Sequence, residues 1–453
     1  MSRKARTQRL QAEDRRYLWH PFTQQRDWAR AAPLIIERGD GVYVEDTDGH
    51  RYMDGVSSIW VTLHGHRKRA LDRALTAQLQ RIAHSTLLGL SNVPAIELAK
   101  RLVGLAPRGL TRVFYSDNGS TAVEVALKMA FQYWRLRGGP GKSKTKFLHL
   151  GQAYHGDTLG AVGVGGIPIF HERFKPLLRP SYEAHAPYCY RCPLDLTFPQ
   201  CRLACTDSVE DALKRHHEEI AALIVEPMLL AAGGMITMPS GYLTRLRRLC
   251  TRYRVLLIAD EVATGFGRTG RMFACEHEGI QPDLMAVSKG LTGGYLPLAA
   301  TLTTEKIYRA FLGRYDEFKT FFHGHSYTGN PLGCAVALAN LDVFEKERTI
   351  ARLQPKIAAL RRWLKPLLDH PHVGEIRQIG LIAGVELVRN RTTKAPYPLA
   401  ERVGMRVADE AKRLDLLIRP LGNVIVLMPP LSTTMKELRT MVGIVTKAVR
   451  AVT

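Results

Sequence analysis

Lys289 follows the apolar run "LMAVS" and is itself followed by Gly290, Gly293 and Gly294. Packing alone rarely carries a lysine into a glycine-crowded, apolar setting. An amine walled in by apolar groups has a lowered pKa and becomes a nucleophile toward aldehydes. Asp260 closes the preceding apolar run, "LLIAD". A carboxylate there is costly unless a cation meets it, and a protonated pyridine nitrogen, Arg268 or a structural salt bridge would each serve. The third piece is "SDNGSTAVE", residues 116–124, which follows a strand and opens a helix. Thr121 and Glu124 have capping-box spacing, while Gly119, Ser120 and the free N–H groups of the first turn make an anion cradle suited to a phosphate. Together the three describe a site for pyridoxal 5'-phosphate, with Lys289 as its Schiff-base lysine and Asp260 on its ring nitrogen.

These residues need a scaffold that brings strand ends together. From about residue 110 the chain alternates short apolar β-rich runs ("RVFYS", "KFLHL", "AALIVEP", "RVLLIAD", "LMAVS") with amphipathic stretches, which predicts an α/β large domain with a mostly parallel sheet covered on both faces. Ligands of such sheets sit beyond the carboxyl ends of the strands. "GVYVEDTDGHRYMDG", residues 41–55, predicts a hairpin turning at Asp48-Gly49. "VGEIRQIGLIAGVELV" and "LLIRPLGNVIVLMPP" predict strands of a smaller α+β domain that the N-terminal segment joins. The expected division is therefore 1–75 with the small domain, 76–345 as the large cofactor-binding domain, and 346–453 as the rest of the small domain.

Composition excludes several classes. The chain has 453 residues, 45% hydrophobic and 23% charged, enough for two cores. No apolar run approaches the roughly 20 residues of a membrane span, and the basic N-terminus has no apolar segment behind it, so a cytoplasmic protein without a membrane partner is expected. The net charge of +22 arises from 64 Lys and Arg against 42 Asp and Glu. These cations are scattered, with dense runs only in the first sixteen residues, at 66–69 and at 245–248, which argues against a nucleic-acid partner. Cys189, Cys192, Cys201 and Cys205 crowd a segment at about 186–206; they could close around zinc or oxidise in pairs, and the expectation is a surface insertion with reduced thiols and no metal. The "HGH" pairs at 64–66 and 323–325 lack a carboxylate partner motif and read as loop histidines near a ligand. "GAVGVGG", 160–166, lacks dinucleotide-binding spacing and reads as a loop.

The stretch "LLIADEVATGFGRTGRMFACEHEGIQPDLMAVSKGLTGG" resembles the cofactor-attachment region of the class III aminotransferases. "LWHPFTQ", "DGVSSIWVTLHGH", "YHGDT" and "IRPLGNVIVLMPP" are similar to the branch of that family that aminates 8-amino-7-oxononanoate to 7,8-diaminononanoate in biotin synthesis. The resemblance covers all but the cysteine-rich insertion. It implies the aspartate-aminotransferase-like fold (fold type I) and a homodimer with its active site at the subunit interface. It also implies that Tyr154 stacks on the cofactor ring, that Gly119 and Ser120 hold the phosphate, and that Ser326 completes the phosphate site from the other subunit. Asp157 and Arg268 would form a charged pair near the site, Arg419 would grip the substrate carboxylate, and Trp60, Gly324 and Phe22 would border the substrate cavity. The sequence departs from the branch's commonest form at Phe22 (usually tyrosine), at Ile59 beside Trp60 (usually two tryptophans), and at Ser326 after His325 (usually threonine after proline). "EPMLLAAGG" also lacks the usual glutamine. The first two changes remove surface that would receive an adenosyl group, so S-adenosylmethionine and lysine both stand as amino donors. Another class III ω-amino-acid or diamine aminotransferase is the nearest alternative.

Overall fold

A computed structural model describes residues 2–453. Its centre is a seven-stranded sheet in the order Leu110–Ser116, Ala299–Thr304, Leu284–Val287, Leu256–Asp260, Ile220–Val225, Lys146–Leu150, Tyr182–Ala184. Neighbours run parallel except at Ala299–Thr304, which is antiparallel to both strands it touches. All six residues of Ile220–Val225, all five of Leu256–Asp260 and all four of Leu284–Val287 are buried. Strands covered on both faces need apolar side chains at nearly every position, and this removes the period-2 alternation. The helix Gly119–Arg137 covers one face, with Ala122, Val125, Ala126 and Tyr133 turned inward and the Trp134 indole N–H donating to the carbonyl of Ala221 at 2.9 Å.

The hairpin forms as expected, with Tyr43–Asp46 antiparallel to Arg51–Asp54. Arg51–Asp54 in turn pairs in parallel with Leu416–Leu417, so N- and C-terminal segments share one four-stranded sheet. Val373–Ile379, Ile382–Asn390, Val424–Leu427 and Arg419–Leu421 form an antiparallel sheet in that order, with Ala395–Pro396 added on the second strand. Among the described residues no helix is long and apolar enough to cross a membrane.

The helix that opens the candidate phosphate cradle is capped differently from the expected Thr121 and Glu124 pair. Asn118 is its N-cap: its side chain accepts from the Thr121 N–H at 3.1 Å, and the Thr121 hydroxyl accepts from the Asn118 N–H at 3.2 Å. The helix starts at Gly119, which puts Glu124 a turn too far along to reach the cap. Glu124 instead accepts from the N–H groups of Gly160 and Ala161, at 2.6 and 3.3 Å. "GAVGVGG" is not wholly loop, since Leu159–Val162 makes one helical turn.

Candidate active site

The carboxyl ends of the parallel strands meet the N-terminus of Gly119–Arg137 around a cavity of about 490 Å³. Lys289, Asp260, Tyr154, Trp60, Gly119 and Ser120 all line it. A larger open groove of about 1230 Å³, lined by Arg137, Arg247, Val255 and Asp283 near the strands' other ends, holds none of these groups.

Lys289 lies just past Leu284–Val287, with a left-handed backbone (φ 43°). The glycines after it have packing reasons. A Cβ on Gly290 would stand 3.0 Å from Leu63 and 3.1 Å from Phe266, and one on Gly294 (φ 89°) would stand 2.9 Å from the Thr62 backbone. Burial lowers the Lys289 pKa, opposed by the negative charges of Asp260 and Glu226. Its ammonium sits 4.9 Å from the centroid of the Trp60 ring.

Asp260 is 4% exposed and ends its strand as expected. Oδ1 accepts from the Val262 N–H at 3.0 Å, and Oδ2 lies 2.7 Å from Nδ1 of the buried His155. His155 Nε2 has no partner. The histidine was not singled out from the sequence, although it adjoins Tyr154 in "YHGD". Glu226 was missed as well. It directly follows the apolar run "AALIV" as Asp260 closes "LLIAD", so a similar signal was present. Glu226 accepts from the N–H of Tyr154 at 3.1 Å and of Ala231 at 3.0 Å, and burial pushes its pKa up to about 7.

At the cavity mouth the Tyr154 hydroxyl donates to Asp157 Oδ2 at 2.8 Å, and the Asp157 N–H donates to Ser120 Oγ at 3.1 Å. Burial, followed by the Asp157 carboxylate, raises the Tyr154 pKa, so the phenol stays protonated. Gly119 is required by close approach: a Cβ there would stand 2.6 Å from Val262 Cγ1. The expected Asp157–Arg268 pair does not form. Arg268 is 1% exposed, buried away from the exposed Asp157, and donates to the carbonyls of Pro429 and Thr62 at 2.7 and 3.2 Å. Nor does Arg268 serve Asp260, whose hydrogen-bonding side chain is His155.

Trp60 is presented by a feature with no sequence signature. Ser57, Ser58, Ile59 and Trp60 all have positive φ, at 51°, 49°, 73° and 69°. A left-handed turn of ordinary residues costs about 1–2 kcal/mol per residue, so something must hold it. The buried Asp54 does: Oδ1 accepts from the N–H groups of Ser58 and Val56 at 3.0 and 3.3 Å, and Oδ2 meets Ser58 Oγ and His66 Nε2, each at 3.0 Å. Ser57 Oγ donates to the Met428 carbonyl at 2.7 Å, and Arg268 holds Thr62 from below. The histidines of the first "HGH" thus include one that supports this turn; neither lines the cavity.

Besides Asp157 and Arg268, four residues assigned by resemblance are not part of the cavity lining of this single chain. Arg419 is exposed on a short strand, and Gly324 and Ser326 are exposed on one loop. Phe22 is 57% exposed, but its ring packs edge-on against Phe170 at 5.4 Å, and Phe170 packs against Tyr154 at 5.9 Å. In the cysteine-rich segment all four cysteines are free and border one small apolar void. Among the described residues no group of three or more His, Cys, Asp or Glu is arranged to hold a metal.

Comparison with known proteins places this geometry. The profile described as "Aminotransferase class-III" matches residues 24–449. The chain is 55% identical over 448 residues to a Geobacter sulfurreducens protein named adenosylmethionine-8-amino-7-oxononanoate aminotransferase, covering 99% of this chain and 98% of the relative. A crystal structure of the protein of that name from Methanocaldococcus jannaschii superposes with a TM-score of 0.94 at 45% identity, covering 98% of this chain and 99% of that one. A Pseudomonas jessenii omega transaminase solved in complex with PMP gives a TM-score of 0.94 at 34% identity, covering 98% of each chain. Fold and matches together define a pyridoxal-phosphate-dependent aminotransferase. The chain belongs to the class-III aminotransferases.

The residues present fit that cofactor. The cavity volume lies within the usual range for small-molecule sites, about 300–1,000 Å³. It offers an amine of lowered pKa, a buried carboxylate and a helix N-terminus with free N–H groups, the three features needed by an aldehyde, a ring nitrogen and a phosphate.

Proposed function

We propose that this aminotransferase converts 8-amino-7-oxononanoate to 7,8-diaminononanoate, the biotin-synthesis step named for its relatives, with S-adenosylmethionine or lysine as amino donor. The observation that carries this reading is the end-to-end likeness to relatives of that name at 47–55% identity, in a chain whose amine, carboxylate and phosphate cradle share one cavity.

In this reading Lys289 would hold the cofactor's aldehyde carbon, Gly119 and Ser120 would hold its phosphate together with Ser326 of the partner subunit, and Tyr154 would contact its ring. Bound there, the protonated pyridine ring supplies an electron sink for the carbanion left when the donor's α-proton is removed. Asp260, itself held by His155, would keep the ring nitrogen protonated. As a free amine Lys289 would carry the proton from the donor's α-carbon; its lowered pKa leaves a larger fraction as free base. Trp60 walls the pocket and excludes water beside that amine. Arg419 offers a guanidinium fork for the carboxylate of the oxononanoate. Phe22 and Gly324 border the acceptor's path, and Asp157 orients the Tyr154 hydroxyl. Both half-reactions use this one pocket in turn.

A homodimer belongs to the proposal. Trp19 (88% exposed), Leu88 (88%), Phe322 (71%) and Tyr327 (63%) are left in solvent by a single chain, and a second copy would cover them. A cytoplasmic location is part of the same reading. The test is saturation kinetics with 8-amino-7-oxononanoate against 2-oxo acids and semialdehydes as acceptors, with S-adenosylmethionine, lysine and 4-aminobutyrate supplied separately as donors and bleaching of the cofactor's visible band followed. Turnover of ω-amino acids with no saturation by 8-amino-7-oxononanoate would move the chain to another class III activity.

A further inference from the structure

The cysteine-rich insertion is tied to the active site through a buried line of hydrogen bonds. Tyr188 and Arg191 both bond Glu386, the tyrosine through its hydroxyl and the arginine from Nε to Oε1 at 2.7 Å. Glu386 is 4% exposed, and its Oε2 meets Nη1 of Arg377 at 2.5 Å. Arg377, 5% exposed, also bonds Glu375 at 2.5 Å, and points its remaining donors at the turn before Ile236: Nη2 to the carbonyl of Gly234 at 2.7 Å and Nε to that of Met235 at 3.0 Å. The N–H groups of Gly234 and Met235 close back on the carbonyl of Ala231, at 3.2 and 2.9 Å. The Ala231 N–H donates to Glu226, which receives the Tyr154 N–H, and the next residue, Ala232, lines the cavity. The insertion is further pinned by Arg191 to the Lys394 carbonyl and by Lys394 to the Tyr190 carbonyl, each at 2.7 Å.

We propose that the insertion is a positioning element: Tyr188 and Arg191 set Glu386 and Arg377, and these hold the 231–235 turn so that Glu226 and the backbone of Tyr154 stay in register with Lys289. Removing Arg191 takes the donor from Glu386 Oε1 while Arg377 and Tyr188 stay on Oε2, and a buried carboxylate short of a hydrogen bond is free to shift with its Arg377 partner, so the disturbance travels inward rather than ending at the surface. The thiols play no part in the line. The proposal rests on the aminotransferase reading of this cavity, and its test separates the two.

Full-length Arg191→Ala, Arg191→Lys and Tyr188→Phe proteins are compared with wild type by amide exchange at Ala231, Gly234 and Met235, by the dissociation constant for pyridoxal phosphate, and by kcat and KM separately. Arg191→Ala should speed exchange at the turn about 10-fold or more, weaken cofactor binding, and lower kcat on the order of 10- to 100-fold, since small misplacements near reacting groups cost that much. Arg191→Lys should recover part of each change, and Tyr188→Phe, which keeps the ring packing, should show a smaller change of the same kind. Exchange at the turn equal to wild type in both Arg191→Ala and Tyr188→Phe would overturn the proposal, as would a loss of kcat with unaltered turn exchange. Failure of borohydride to fix pyridoxal phosphate at Lys289 in wild type would instead overturn the reading of the cavity, and the exchange data would still decide the positioning role.

Discussion

Asp54→Ala tests whether the turn bearing Trp60 is held against its own backbone preference. Four left-handed residues cost about 4–8 kcal/mol at roughly 1–2 kcal/mol each. Asp54 offsets this with four accepted hydrogen bonds, each worth about 1.5–3 kcal/mol to a charged acceptor. The two terms are of similar size, so the turn should not survive without the carboxylate. Ser58 is exposed and His66 partly so, and water can replace part of what they lose. The net loss of stability should therefore be about 2–4 kcal/mol. With the turn relaxed, Trp60 leaves the Lys289 ammonium, and KM for the acceptor should rise about 10-fold. Burial tends to raise the Asp54 pKa, but hydrogen bonds from His66 and Ser58 win and hold it below the ordinary carboxylate value. A depressed folded-state pKa stabilises above the unfolded value, near pH 4, and that stability is lost as pH falls through the lower folded value. The gap between wild type and Asp54→Ala in urea unfolding should thus be full at pH 7 and shrink as the pH drops below about 4. A variant within about 0.5 kcal/mol of wild type at pH 7 with unchanged KM would refute the reasoning.

Lys289→Ala should fold normally yet lose several powers of ten in rate, and borohydride should fix the cofactor of wild type at Lys289; labelling at another lysine would remove that assignment. His155→Ala should lower kcat on the order of 10- to 100-fold with little change in KM, because Asp260 loses the side chain that orients it; an unchanged kcat would make the histidine a packing residue. Arg419→Ala should raise KM for 8-amino-7-oxononanoate about 10-fold or more and leave the cofactor's visible band in place, and unaltered kinetics would take Arg419 out of the site. Replacing Cys189, Cys192, Cys201 and Cys205 together by serine should leave activity close to wild type, whereas about one zinc per purified chain would show the thiols to be ligands.

The sequence by itself determined the elements and the chemistry carried at strand ends. Apolar runs such as "ALIV" and "LLIA" must be buried on both faces, and a charged residue closing such a run marks the end where ligands bind. Lys289 and Asp260 were legible for that reason, and Glu226 could have been by the same rule. The hairpin was legible because Asp48-Gly49 permits its turn. Tertiary structure decided which charges meet. Arg268 and Asp157 have types that could pair, but Arg268 lies under the Trp60 turn and Asp157 stands at the mouth, so each finds other partners. The left-handed run Ser57 to Trp60 contains no glycine to announce it, and it exists because the nearby Asp54 carboxylate and the Met428 carbonyl, far along the chain, both bond it. The insertion's attachment to Glu386 joins positions almost 200 residues apart, 188 and 386. Local pattern reports what each segment must bury; only the packed chain reveals which buried polar groups satisfy one another, since that depends on distances no spacing encodes.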